Sequence, residues 1–179
     1  DYPEPVSWQA CGGIDGKLYC AGGTTDAGTT AHGYVYDPGT DAWSPIPDLP
    51  LDMWGSFYTA ANGQLLVAGG AIEGGSAITN QAFAFDPASG QWSALPNQNA
   101  ALYRGSGAVG FYAVGGNPGG FLVPPVATVE VLPGYDQGGS ADVPWLSEST
   151  DQLTLGPGDA ATVTVRLNAA DPSIVQPGT

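Results

Sequence analysis

One histidine and two cysteines are the side chains of this 179-residue chain best suited to nucleophilic or metal chemistry. His32 lies in a loop rich in glycine and threonine, and neither a Gly-Thr-Ser-Met-Ala segment nor a Gly-x-Ser-x-Gly elbow occurs. A Ser-His-Asp triad would have to use this histidine, and we predict instead a solvated loop residue and no catalytic residue. One histidine and one cysteine pair cannot complete a tetrahedral metal site, so we predict no metal and no cofactor.

The two cysteines flank a predicted β-hairpin. Cys11 and Cys20 enclose Gly-Gly-Ile-Asp-Gly-Lys-Leu-Tyr, in which Asp15-Gly16 is typical of a two-residue type I′ turn. That turn places Cys11 directly opposite Cys20, within bridging distance on adjacent strands. We predict a disulfide, which implies an oxidising compartment and therefore secretion; the alternative is two buried thiols.

The charge balance excludes two classes of partner. The chain has 17 acidic and 3 basic residues, with a net charge of −14. Nucleic acid and anionic membrane surfaces require a basic patch, so neither is an expected partner. The charge is consistent with a soluble secreted protein, with cation binding as the alternative. The sequence begins at Asp1, and we expect a mature form or a fragment.

The elements that would position any site recur along the chain. Three glycine pairs are spaced by 47 and 46 residues: Gly22-Gly23, Gly69-Gly70 and Gly115-Gly116. An aromatic strand ending in Asp-Pro, followed by Trp43 or Trp92, recurs with a spacing of 49. A period of this length fits a four-stranded propeller blade.

Short strands between turn residues fill each repeat. The predicted strands lie at about 6–12, 17–21, 33–36 and 42–46 in the first repeat, 57–61, 64–68, 82–85 and 91–94 in the second, and 106–109, 111–114 and 127–132 in the third. The third repeat lacks the tryptophan, so its fourth strand is in doubt.

This order of glycine pair, aromatic strand, Asp-Pro and tryptophan resembles the Kelch repeat over about residues 6–132. The resemblance implies an all-β fold of about three four-stranded antiparallel blades, at about 6–50, 51–99 and 100–133. It also implies that the glycines permit close backbone approach and that Trp43 and Trp92 pack inside the blades. In this alignment the cysteines replace Tyr58 and Val67, so the disulfide is interpreted as structural.

The end of the chain differs from the repeats in composition and in residue pattern. Residues 134–142 are a predicted linker of glycine, serine and aspartate, and 143–179 resemble the first strands of an immunoglobulin-like sandwich, incomplete here. Kelch blades followed by such a segment resemble the C-terminal region of secreted bacterial subtilisin-like serine peptidases. The chain carries none of that family's catalytic motifs, so no catalytic role transfers to any residue.

Long loops between the second and third strands of each repeat and between successive blades would emerge on one face. The first strands of the three repeats begin near the propeller axis at Trp8, Trp54 and Tyr103. Trp54 is one residue out of phase, which predicts a bulge there. These rings would either pack between blades or form an aromatic ring around the channel mouth. In the second case Arg104 would bind a carboxylate.

We therefore predict a non-catalytic recognition region of a secreted protein, attached to a subtilisin-like peptidase and binding protein or polysaccharide. One alternative is part of a hydrolase completed by missing blades or by a second chain. The other is a structural spacer. Closed propellers have four to eight blades, so three blades also suggest a homodimer that completes the ring.

Overall fold

The computed structural model describes residues 1–108, 110–119, 123–135, 146–148 and 160–168. The chain divides into two compact units, Asp1–Gly139 and Ser140–Thr179. Throughout the described ranges the regular structure is β-strand, apart from one short 3₁₀ turn at Glu73–Gly75, and no α-helix occurs in them. The all-β prediction is confirmed.

The first antiparallel sheet has the strand order β1-β2-β5-β6. Its strands are β1 (Ala10–Ile14), β2 (Lys17–Ala21), β5 (Gly33–Asp37) and β6 (Ala42–Ile46). The Asp15-Gly16 turn has positive φ at both residues, 48° and 76°, as a type I′ turn requires. It sets Cys11 opposite Cys20 with Cα atoms 4.1 Å apart, and the two are joined by a disulfide.

Strand β1 begins four residues later than predicted. The backbone of Trp8 is left-handed, with φ 62°, and an extended strand cannot continue through such a residue. A short hairpin, β3 (Thr24–Thr25) and β4 (Gly28–Thr29), follows β2 where the sequence predicted only a loop.

The second sheet repeats this arrangement in the order β12-β11-β8-β7. Its strands are β7 (Phe57–Ala61), β8 (Gln64–Ala68), β11 (Ala82–Asp86) and β12 (Gln91–Leu95). The loop between β8 and β11 again forms a short hairpin, β9 (Ala71–Ile72) and β10 (Ala77–Ile78), around the 3₁₀ turn.

The third sheet has three strands in the described residues instead of four. These are β13 (Ser106–Ala108), β14 (Tyr112–Val114) and β15 (Val129–Val131). The sequence after β15 continues into Pro133-Gly134 and lacks the tryptophan found in the fourth strands of the first two sheets. The prediction of three four-stranded blades therefore holds for two of them.

The second sheet is packed on both faces within the first unit. One core cluster joins it to the first sheet through Ile14, Leu49, Val67, Phe83 and Phe85. On the opposite face Leu66, Ala68, Ala82 and Ala84 pack with Phe111 of the third repeat. Strand alternation explains this arrangement, because successive side chains point to opposite faces of a sheet.

The two repeat tryptophans are half-buried at the outer strands. The ring of Trp92 lies 5.2 Å from the ring of Phe85, and its Nε1–H donates to the carbonyl of Pro47 at 2.9 Å, which ties the second sheet to the end of the first. The Trp43 ring contacts the rings of Tyr36 and Tyr2, at 5.2 and 4.8 Å. Trp92 thus packs between two sheets, whereas Trp43 packs between its own sheet and the segment before β1.

The glycine pairs lie where the next repeat approaches most closely. The N–H of Gly23 donates to Met53 and that of Gly70 donates to Leu102, each at 2.8 Å. A Cβ atom added to Gly69 would lie 2.5 Å from the carbonyl oxygen of Leu102. A residue with a side chain would therefore separate the two sheets.

The second unit is described at two short strands. β16 (Leu146–Glu148) and β17 (Val165–Leu167) pair antiparallel. Of the predicted immunoglobulin-like segment at 143–179, the structure describes 146–148 and 160–168, and the rest lies outside the described residues.

Candidate binding site on the loop face

The three sheets begin in the same way near the propeller axis. Isolated antiparallel bridges pair Ser7 with Thr24, Trp54 with Ala71 and Tyr103 with Asn117. Trp54 and Tyr103 are therefore equivalent to Ser7, and no bulge separates them. The prediction of a bulge at Trp54 is wrong. Trp54 and Tyr103 are the bridge residues of their repeats, whereas Trp8 lies one residue after the bridge residue Ser7.

The residue after each bridge is left-handed and links one sheet to the next. Trp8, Gly55 and Arg104 have φ values of 62°, 62° and 58°. The N–H of Gly55 donates to the carbonyl of Trp8 at 3.2 Å, and the N–H of Arg104 donates to the carbonyl of Gly55 at 2.7 Å. Positive φ costs energy for tryptophan and arginine, so the surrounding structure must hold these two residues in place.

These links bring the three predicted aromatic residues and the predicted arginine together, and we call these four residues the aromatic cluster. The Trp54 ring lies 6.1 Å from the Trp8 ring and 5.6 Å from the Tyr103 ring, both edge to face. The guanidinium carbon of Arg104 lies 5.2, 5.0 and 5.2 Å from the ring centres of Trp8, Trp54 and Tyr103. These distances are within cation–π range.

Exposure differs strongly within the aromatic cluster. Trp8 is 55 % exposed, whereas Tyr103 is 5 % exposed. Tyr103 therefore packs between repeats, and Trp8 presents a large apolar surface to solvent. Packing between blades, the first interpretation, thus describes Tyr103. An exposed aromatic surface, as in the second interpretation, describes Trp8.

A cavity of about 410 Å³ opens beside the aromatic cluster, and we call it the rim pocket. Its lining comes from the starts of two sheets and from the loops after two glycine pairs: Trp54, Ala71, Gly75, Ser76, Ile78, Ala101, Tyr103, Pro118 and Gly119. The volume is within the range of ligand pockets, which combine an apolar lining with a few polar groups.

A partly exposed polar bridge holds the β9–β10 hairpin, which lines the rim pocket, against the β3–β4 hairpin. The hydroxyl of Thr29 donates to the carboxylate of Asp52 and accepts from the N–H of Gly74 at 3.0 Å. The other oxygen of Asp52 accepts from the N–H of Glu73 at 3.4 Å. Two hairpins from different repeats are thereby held together, and the sequence analysis missed Asp52 because its partners are distant in sequence.

The remaining candidate side chains are engaged in local structure. The Nδ1 atom of His32 lies 2.9 Å from the carboxylate of Glu4, and His32 is half-exposed on its loop as predicted. The Nζ of Lys17 lies 2.8 Å from Asp37, and this hydrogen bond lowers the pKa of Asp37 and raises the pKa of Lys17. Asp37 and Asp86 also cap their turns, accepting from the N–H groups of Gly39 and Ala88 at 2.8 Å.

A metal-binding cluster and a membrane-spanning helix are both absent from the described residues. These residues contain no group of three or more histidine, cysteine, aspartate or glutamate residues placed to hold a metal ion. Within the same ranges no helix has the length and apolar character needed to cross a membrane.

Comparison with known proteins identifies a Kelch-repeat region. The Kelch motif matches residues 9–50, which contain the first sheet. Kelch-like protein 35 of Mus musculus is 38 % identical over 64 residues, 36 % of this chain and 11 % of that protein. Two F-box/kelch-repeat proteins of Arabidopsis thaliana are 40 % identical over 62 residues and 29 % identical over 95 residues. These two matches cover 34 % and 52 % of this chain, and 16 % and 20 % of the relatives.

Proposed function

We propose that this chain is a non-catalytic recognition module that binds a protein ligand in the rim pocket. The observation that carries the proposal is the pocket itself, whose walls are Trp54, Tyr103, the β9–β10 hairpin and the loop after the third glycine pair. Loops on a rigid scaffold are the usual place for ligand contacts. Kelch repeats commonly bind proteins, which supports a protein as the ligand.

The chemistry of the site favours an extended peptide or loop with an apolar anchor. Tryptophan, tyrosine and arginine dominate the binding energy of protein interfaces, especially where they surround a pocket. Trp8 and Trp54 offer two such rings, and Arg104 is positioned over both. An acidic or carboxamide side chain next to the apolar anchor would complement the guanidinium.

The test is a screen of the intact chain against a peptide array and a glycan array, followed by affinity measurements. We expect Trp54→Ala to weaken binding to the best peptide tenfold or more, because it removes one wall of the rim pocket. Tyr36→Ala is the matched control, since Tyr36 is a partly exposed aromatic residue of β5 that does not line the rim pocket. Circular dichroism of both variants checks that the sheets remain folded.

Equal affinities of the two variants for the selected peptides would contradict the proposal. Binding to glycans with none to peptides would replace the protein ligand by a polysaccharide, the other ligand class that the sequence suggests. Blank arrays would favour a structural spacer. Hydrolysis of an array compound by the chain would favour the hydrolase alternative.

We further propose that the module acts outside the cell as part of a secreted subtilisin-like peptidase. The support is the resemblance of the repeats and of residues 143–179 to the C-terminal region of such enzymes, including the start of an immunoglobulin-like module. The disulfide is compatible with an oxidising compartment. Sequencing the coding region upstream of Asp1 tests this proposal, because a Ser-His-Asp catalytic domain is expected there and an unrelated domain would exclude it.

A further inference from the structure

The two junctions between successive sheets are built from equivalent positions, so they can be compared residue by residue. Val67 and Ala113 each lie two residues before a glycine pair, and they pair with Phe83 and Glu130 on the adjacent strand. Leu49 and Gln98 are also equivalent, because their N–H groups donate to the carbonyls of Ala31 and Asn80, with the same spacing of 49.

In the first junction these positions are apolar and filled. Leu49, Val67 and Phe83 belong to one buried core cluster between the first and second sheets. A leucine, a valine and a phenylalanine together supply enough volume to close the space between the sheets, as expected of a protein interior.

In the second junction the same three positions hold Gln98, Ala113 and Glu130, and all three line a cavity of about 220 Å³. The smaller alanine and the loss of the phenylalanine ring explain why the space is open. A cavity of about 150 Å³ can already hold a molecule the size of benzene. We call this space the junction cavity; it is separate from the rim pocket, since no residue lines both.

The polar groups of the junction cavity are arranged for a ligand. Gln98 is 9 % exposed, and among the described residues neither atom of its side-chain amide has a hydrogen-bond partner. A buried amide without a partner destabilises the fold, because it loses its hydrogen bonds to water without replacement. Glu130 is the one charged residue in the lining, and its Oε2 accepts from the backbone and side-chain nitrogens of Asn99, at 2.8 and 3.1 Å.

We propose that the junction cavity binds a small primary amine in its ammonium form. The ammonium group would donate to the carboxylate of Glu130 and to the Oε1 of Gln98, and its carbon chain would lie against Ala68, Phe111 and Ala113. A cation is favoured over an anion because the lining holds a carboxylate and no basic side chain. The net charge of −14 also favours cations around the molecule.

The experiment is an NMR titration of the intact chain, labelled with nitrogen-15, with n-butylammonium chloride. We expect saturable shifts of the backbone and side-chain amide signals of Gln98 and Asn99. n-Butanol, which has the same carbon chain without the charge, should bind at least tenfold more weakly. Sodium chloride at equal ionic strength corrects for general salt effects.

Two variants and one control test the assignment. Glu130→Gln should weaken n-butylammonium binding tenfold or more, whereas Glu73→Gln, which removes the same charge from an exposed loop, should leave the affinity unchanged. Ala113→Val restores the residue type of the first junction and should weaken binding by narrowing the cavity, with the charge of Glu130 kept.

Three results would overturn the proposal. The first is the absence of saturable shifts at Gln98 and Asn99 in the folded wild-type chain. The second is equal affinity in the Glu130→Gln and Glu73→Gln variants. The third is that the cavity holds only an ordered water. In that case the NMR contact between water and the Gln98 amide persists when n-butylammonium is added. The rim pocket and its peptide ligand play no part in these readouts, so failure here leaves the proposed function separately testable.

Discussion

At the scale of single residues, Tyr2 shows how the segment before β1 is held on the first sheet. Its ring lies 5.4 Å from the ring of Tyr34 and 4.8 Å from that of Trp43, both edge to face. Burial, and next the negative charge of Glu4, raise the pKa of Tyr2 to about 12. The folded chain therefore keeps this phenol protonated at a pH where the unfolded chain ionises it.

This pKa shift predicts a loss of stability in alkali. The contribution of Tyr2 is fully present below pH 10, its ordinary pKa, and is lost as the pH rises through about 12. Tyr2→Phe should reduce the fall in the free energy of unfolding across this window, because phenylalanine packs in the same place without an ionisable group. Urea unfolding at a series of pH values measures the effect, with Tyr112→Phe as the control. An unchanged fall in Tyr2→Phe would show that other groups cause it.

At the scale of strands and turns, the sequence predicted hairpins well where a turn residue defines the register. The Asp15-Gly16 turn predicted the opposition of Cys11 and Cys20, and Asn62-Gly63 forms the equivalent two-residue turn in the second sheet. The two-residue strands of the β3–β4 and β9–β10 hairpins were missed because segments that short carry no detectable periodicity. The clustering of Trp8, Trp54 and Tyr103 was anticipated from the repeat, but the left-handed link that aligns them was not.

The disulfide is expected to stabilise the first hairpin by restricting the unfolded chain. Its loop is short, with a sequence separation of 9, so Cys11→Ala with Cys20→Ala should lower the free energy of unfolding by about 2–3 kcal/mol. Urea unfolding measures the change, and reduction of the wild-type chain with dithiothreitol should reproduce most of it. Full stability of both the double variant and the reduced chain would contradict the prediction.

Two glycines with similar backbone conformations should differ in the stability lost when each is replaced by alanine. Gly69 and Gly74 have φ values of 62° and 67°. A Cβ atom at Gly69 would meet the carbonyl oxygen of Leu102, whereas nothing lies within 4 Å of one at Gly74. Gly74→Ala should therefore cost only the conformational penalty, about 1 kcal/mol, and Gly69→Ala about 1–3 kcal/mol more. Equal losses in thermal unfolding would show that close approach is not the reason for the glycine.

At the scale of the whole molecule, the third sheet has an exposed apolar face. Tyr112, Val114, Val129 and Val131 are all substantially exposed. By strand pairing they are equivalent to Leu66, Ala68, Ala82 and Ala84, which form the buried face of the second sheet.

The sequence predicted the repeat. The roles of single residues such as Gln98 and Glu130, however, depend on which positions are equivalent in space, and the sequence alone does not give that equivalence.

This exposed face supports the predicted homodimer, in which three repeats of each copy complete one ring. We expect a native mass of about twice 18.1 kDa by light scattering. Val129→Lys should return the chain to the mass of one copy, because a lysine would be buried without a partner. Val165→Lys is the control, since Val165 is an exposed strand valine in the second compact unit. A concentration-independent mass of one copy for the wild type would exclude the dimer.

The backbone link through Trp8, Gly55 and Arg104 also bears on how such a chain evolves. Each link uses a main-chain donor and a main-chain acceptor at the same position of successive repeats, so joining one repeat to another requires no particular side chain there. Duplication of a gene segment can therefore add a repeat that forms the same main-chain hydrogen bond to its neighbour without further substitutions. The side chains of each new junction are then free to diverge, and one junction can become a packed core while its copy becomes a cavity.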